Sequence, residues 1–127
     1  MTSNRGGLRN QVGLCHFLNY EEEQSLDILR AVTGWDLTPE ELVQTAHRGI
    51  TLARLFNVRE GFGREDDALP LRFHEDLPMH KGLTEEQIAE IVQAYYVEQG
   101  WDPETGVPTH ATVEALGISD DAAGILL

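Results

Sequence analysis

The stretch that decides the fold is Thr38-Pro39-Glu40-Glu41-Leu42 together with the fifteen residues after it, TPEELVQTAHRGITLARLFN over 38–57. Thr38 is a helix N-cap, Pro39 suits the first helical position because its missing N–H would be unsatisfied there anyway, and Glu41 closes a capping box. Leu42, Ala46, Ile50, Ala53 and Phe56 then recur at helical spacing, and Leu52 and Leu55 widen the stripe. The spacing predicts a helix ending near Asn57. The same grammar returns at Thr84-Glu85-Glu86-Gln87, followed by Ile88, Ile91, Val92 and Tyr95 on one face and Gly100 as the stop.

Working outward, residues 21–32 form a further helix, with Leu26, Leu29 and Val32 on one side, Ile28 beside them, and Gly34 ending it. Thr109 caps a short helix that stops at Gly117, and Ser119 caps a final turn. Residues 1–9, MTSNRGGLR, are Gly-rich and polar and read as loose. Residues 59–81 read as irregular because Gly61, Gly63, Pro70 and Pro78 interrupt any helix. Trp101 to Pro108 reads as turns. No segment alternates like a strand. The expected fold is all-α: one compact helical domain over 1–127, about four helices with a long irregular connection.

Composition limits the function. The chain has 127 residues and a formal charge of −13. That charge repels nucleic acid phosphates and anionic lipid, so neither a nucleic acid nor a membrane is an expected partner. Cys15 is the single cysteine, so no internal disulfide forms, and no apolar run approaches a membrane span. A cytoplasmic location is expected.

Catalytic motifs are scarce. None of His16, His47, His74, His80 and His110 pairs with another at the spacing that puts two ligands on one helix face. His74, Glu75, Asp76 and His80 cluster in the irregular stretch, where a solvated loop is the plainer reading and a small metal site the sharper one. A lone cysteine is more often a small buried residue than a nucleophile. There is no nucleophile elbow and no phosphate-binding glycine loop. Glu21, Glu22 and Glu23 sit at a helix start, where negative charge is stabilising without any further role. Residues 54–67 hold Arg54, Arg59 and Arg64 among Glu60, Glu65, Asp66 and Asp67. Arginine forks bind carboxylates bidentately, so a partly buried ion-pair network is expected. Such a network either pins the helix exit or faces a partner.

Four pieces of the chain, taken in order, resemble the C-terminal region of aldehyde ferredoxin oxidoreductases, which are tungsten or molybdenum pterin enzymes. They are LRAVTGWDLTPEEL (29–42), RLFNVREGFGREDDALPLRF (54–73), YYVEQGWDPETGVPT (95–109) and LG at Leu116-Gly117. The family also carries Asp-x-x-Gly-Leu-Cys, whose cysteine is one of four thiolate ligands of a [4Fe–4S] cluster and whose Asp and Leu lie against the pterin. The matching residues here are Asn10-Gln11-Val12-Gly13-Leu14-Cys15. The resemblance therefore implies Cys15 as a cluster ligand and Leu14 and Asn10 as pterin neighbours, with Asn10 standing where the family has Asp.

The resemblance implies aldehyde oxidation to carboxylate, with electrons leaving through the cluster to ferredoxin. One cysteine cannot hold a cubane, so the cluster and the tungstopterin are expected to be absent from the isolated chain. The expected partner is a chain or domain carrying the tungstopterin and the remaining cluster cysteines, with ferredoxin an indirect one. No residue is expected to be catalytic, and the chain is not expected to be active alone. The alternative is a cofactor-free helical interaction domain, in which a homo-oligomer covers the exposed surface.

Overall fold

The computed structural model describes residues 3–15, 17, 18, 20–76 and 81–126. Among these it is all-α: five α-helices, two 3-10 turns and no strand. They are α1 (Ser3–Val12), α2 (Glu22–Thr33), α3 (Pro39–Arg59), α4 (Glu85–Gln99) and α5 (His110–Ala115). No described helix is long and apolar enough to cross a membrane. The chain divides into two compact units, Met1–Leu52 and Ala53–Leu127.

The first unit contains α1, α2 and most of α3. Its core joins Leu8 of α1, Leu26 of α2, and Leu42 and Ala46 of α3, with Val12, Leu29 and Leu37 packed against them. Burying an aliphatic side chain of this size is worth roughly 1.5–3 kcal/mol. The expectation that 1–9 is loose is corrected here, because Ser3–Val12 is helical. Two glycines leave room for side chains of the facing helix. A Cβ on Gly7 would lie 2.6 Å from Ile50 Cδ1, and one on Gly49 would lie 2.3 Å from Gln11 Nε2. Gln11 uses that room to donate to the Ala46 carbonyl at 2.9 Å.

Local chemistry sets the helix ends. The Thr38 N–H donates to Glu41 Oε2 at 2.8 Å, and the Glu41 N–H donates to Thr38 Oγ1 at 3.2 Å. Gly34 and Gly100 adopt left-handed φ values of 72° and 69° as C-caps, a conformation that costs glycine little.

In the second unit the buried apolar residues are Leu55, Ile88, Tyr96, Trp101, Val113, Leu116, Ile118 and Ala122. Three expectations shift. Ile91 is 55% exposed, and Tyr96 rather than Tyr95 occupies the buried face of α4. On α3, Phe56 is 55% exposed while Arg54 is buried. Residues 101–108 form a closed turn. Trp101 and Pro108 make an antiparallel bridge, and the Asp102 carboxylate accepts from the N–H and hydroxyl of Thr105 at 2.8 Å each. These bonds hold the Asp102 carboxyl below its ordinary value.

Candidate functional site

The residues singled out by the sequence lie at the C-terminal end of α1. Val12 is the last helical residue, and Gly13 follows at φ 71°. The Leu14 N–H donates back to the Arg9 carbonyl at 3.0 Å. A left-handed glycine with this six-residue return bond is a Schellman exit, which satisfies a helix-end carbonyl and turns the chain off the axis. Asn10 is exposed on the last turn of α1, Leu14 is half-buried just beyond the exit, and Cys15 follows it, exposed.

Leu18 and Tyr20, beyond Cys15, also have backbone partners. The Leu18 N–H reaches the Cys15 carbonyl at 3.4 Å, and the Tyr20 N–H donates to the Leu18 carbonyl at 3.0 Å. Arg9 Nη2 then donates to the Tyr20 carbonyl at 3.1 Å. Arg9 thus bonds Leu14 by its carbonyl and Tyr20 by its guanidinium. Within this loop Phe17 is 95% exposed and Leu18 51% exposed. His16 lies outside the described residues.

A cubane cluster takes four ligands, usually thiolates. Among the described residues no three of His, Cys, Asp and Glu converge. Among the described residues the thiolate donor is the single exposed Cys15, and one thiol can fill at most one corner of such a cluster. At Asn10 an amide can both donate and accept where a carboxylate only accepts.

His74 and Asp76 have backbone partners. His74 Nδ1 lies 3.1 Å from the Leu83 carbonyl, and Asp76 Oδ1 accepts from the Gly82 N–H at 2.8 Å. These bonds close the two ends of the 73–83 connection on each other, together with the Leu83 N–H on the Phe73 carbonyl at 2.8 Å. His80 lies outside the described residues.

The charged run 54–67 resolves into one buried cluster and several surface contacts. Arg54 Nε donates to the Gly106 carbonyl at 2.8 Å, and its Nη2 pairs with Asp67 Oδ2 at 2.9 Å. The Tyr96 hydroxyl donates to the same Asp67 carboxylate. Arg54 sits 5.6 Å from the Trp101 ring and Arg64 5.2 Å from the Tyr96 ring, both within cation–π range. Burial raises the Tyr96 phenol above its ordinary value, and its bond to Asp67 raises it further. By contrast, Arg59 and Glu60 pair at 2.9 Å on the surface, and Asp66 accepts from the Gly63 N–H. A pocket of about 250 Å³ opens beside Arg64 and Asp67, walled by Leu69, Ile88, Ala89 and Val92. Sequence reasoning found Arg54 and Asp67 but missed Tyr96 and Gly106, which lie 42 and 52 residues from Arg54. The GVP turn was the available signal, since a glycine there admits a close approach that a Cβ would block.

Comparison with known proteins points one way. The family model described as aldehyde ferredoxin oxidoreductase, domains 2 and 3, matches residues 1–118. The tungsten-containing aldehyde ferredoxin oxidoreductase of Pyrococcus furiosus is 33% identical over 119 residues, covering 89% of this chain and 19% of that protein. That of Thermococcus kodakarensis is 31% identical over 119 residues, with the same coverage of 89% and 19%. The chain thus spans about a fifth of the length of these curated relatives, 19% in each case. Among solved structures, the active site complex BamBC of benzoyl coenzyme A reductase with 1,5-dienoyl-CoA is similar at a TM-score of 0.67. It is 29% identical and covers 81% of this chain and 15% of that one. On the extent of the match to domains 2 and 3, the chain belongs to the aldehyde ferredoxin oxidoreductase family.

Proposed function

We propose that this chain acts as one helical domain, a fragment or subunit, of an aldehyde ferredoxin oxidoreductase-like enzyme, and that it supplies one ligand and part of the enclosure of the redox centre. The observation that carries the reading is the family match over residues 1–118, within which the lone thiol stands exposed on a fixed helix exit. In this reading Cys15 gives one thiolate to a [4Fe–4S] cluster. The other three ligands and the tungstopterin belong to another chain or domain, and ferredoxin receives the electrons. The metal and pterin supply the two-electron oxidation of aldehyde to carboxylate. This chain's own residues bind, orient and exclude water. Gly13 aims the segment, the Arg9 bonds to residues 14 and 20 hold it, Leu14 presents an apolar side chain at the centre, and the Asn10 amide offers hydrogen bonds to the pterin. Because the tungstopterin and three of the four cluster ligands lie elsewhere in this reading, the chain is not active alone. A cytoplasmic setting belongs to the same reading.

The test is anaerobic co-expression of the chain with the tungstopterin-binding polypeptide that carries the three clustered cysteines, with iron and tungsten quantified. The expected result is iron and a ferredoxin-type absorbance in the joint preparation, lost with Cys15→Ala. Unchanged iron in Cys15→Ala removes the ligand role. The second reading, a cofactor-free interaction domain, is favoured by Asn10 standing in place of a charged neighbour. It predicts a colourless complex whose metal content does not respond to Cys15→Ala.

A further inference from the structure

The pocket beside Arg64 in the second unit carries a charge that no carboxylate answers. Asp67, on its wall, is bonded twice by Arg54, with Nη1 on Oδ1 at 3.1 Å and Nη2 on Oδ2 at 2.9 Å, and it also accepts from the Tyr96 hydroxyl. That carboxylate is therefore matched by the buried Arg54 guanidinium, and both of its oxygens are occupied. Arg64 is left over. Its guanidinium lies 5.2 Å from the Tyr96 ring, its Nη2 reaches the Ala89 carbonyl at 3.3 Å, and its Nη1 is buried without a hydrogen-bond partner. Among the described residues no carboxylate pairs with it. Two arginines and one aspartate thus leave a positive charge at the pocket wall, in a chain whose formal charge is −13.

Much of the remaining wall is apolar. Leu69, Ile88, Ala89 and Val92 line it, with Ile88 buried and Leu69 and Val92 half-buried. The volume is about 250 Å³. Pockets for drug-sized ligands hold roughly 300–1,000 Å³, so this one takes a smaller molecule. His74 and Glu85 also border it, both exposed. Glu85 opens α4, where the positive helix end and water offset its charge.

We propose that this pocket binds a small monocarboxylate with a compact apolar body, of the size of a branched short-chain acid. The carboxylate meets the Arg64 guanidinium, and the apolar body fills the space against Leu69, Ile88, Ala89 and Val92. Both halves of the site are then satisfied. An inorganic anion leaves the apolar wall wet, and a neutral apolar molecule leaves the Arg64 charge unmatched. The inference uses groups of the second unit alone and is independent of the cluster reading of Cys15.

The experiment is an amide chemical-shift titration of the full chain with isovalerate, isovaleramide and acetate, repeated on Arg64→Gln, Arg64→Lys and Ala89→Phe. Isovalerate is expected to saturate with a Kd of about 1–5 mM, in keeping with about seven non-hydrogen atoms, and to move the amides of residues 64, 69 and 88–92. Isovaleramide keeps the shape without the charge, and acetate keeps the charge without the body. Each is expected to bind at least about tenfold more weakly. Arg64→Gln is expected to lose the same factor, and Arg64→Lys to keep part of the affinity, because the charge remains while the fork is lost. Arg64 stacks on Tyr96, so its variants carry a cost in stability. Ala89→Phe instead fills the pocket from an exposed position and leaves that stack in place. It is expected to abolish saturation with circular dichroism unchanged. Equal binding of isovaleramide and isovalerate overturns the role of Arg64. Wild-type binding by Ala89→Phe puts the ligand elsewhere and overturns the site. Absence of saturation by isovalerate up to about 50 mM, tenfold above the expected range, overturns the proposal outright.

Discussion

Tyr96 and Arg54 converge on one carboxylate: the phenol of Tyr96 donates to Asp67 Oδ2, and Arg54 Nη2 lies 2.9 Å from the same oxygen. Arg54 is 6% exposed and Asp67 31%, so the acid rather than the arginine keeps some contact with water. Arg54 also donates to the Gly106 carbonyl, which ties α3 to the 101–108 turn within the second unit.

Removing the guanidinium takes the counter-charge from Asp67, leaving it the Tyr96 hydroxyl, and takes the Arg54 donor from the Gly106 carbonyl. Arg54→Ala is expected to cost about 3 kcal/mol, the lower end for a broken buried pair because Asp67 is partly solvated. Arg54→Met keeps much of the packing and is expected to cost less. Urea denaturation of the two variants checks the order.

The Tyr96 phenol, raised by burial and then by Asp67, gives a prediction in alkali. Between the unfolded and folded pKa values the native state holds a proton that the unfolded state has released. Stability is therefore fully present below the unfolded tyrosine value and falls as pH rises through the folded one. Tyr96→Phe is expected to flatten the alkaline limb of a denaturation-midpoint curve. It should also lower the neutral plateau by about 1–2 kcal/mol through the lost hydroxyl bond.

At the interface of α1 and α3 in the first unit, Gly49→Ala pits helix propensity against Gln11. Alanine is favoured over glycine in a helix by roughly 0.5–1 kcal/mol, but its Cβ would displace the Gln11 amide from Ala46. Gly49→Ala alone is expected to be destabilising, and Gly49→Ala on a Gln11→Ala background stabilising. A double-mutant cycle reads this sign reversal directly.

Glu41 is held below its ordinary value first by the Thr38 backbone N–H and then by the Thr38 hydroxyl. Its contribution is thus present above the unfolded carboxylate pKa and lost as pH falls through the folded one. Glu41→Gln is expected to keep the capping bond while reducing the pH dependence of helix content in mild acid. A circular dichroism titration makes the comparison.

What could be read from the sequence was what is local. Thr38, Thr84 and Thr109 cap helices, and Gly34 and Gly100 end them, because a cap is satisfied within a few residues. Helix α1 escaped notice because Gly6 and Gly7 argue against a helix. Its Leu8 is buried among residues from α2 and α3, and no local rule sees those contacts. Arg54 was legible as part of a network but not as its buried member, since a run of mixed charge normally faces water. Tyr95 and Tyr96 are adjacent, and a difference of one residue changed which ring reached the core. At the candidate site Cys15 stood out through the family pattern alone. Its exposure and the Arg9 bonds to Leu14 and Tyr20 came only with the structure.

The bond from Arg54 to Gly106 also sets an order of events. The Asp102 turn closes over three residues and can form in microseconds, whereas the Arg54 contact joins points 52 residues apart and waits on the loop between them. The turn is therefore expected to close before its arginine arrives, so that Arg54 docks on a carbonyl already in place.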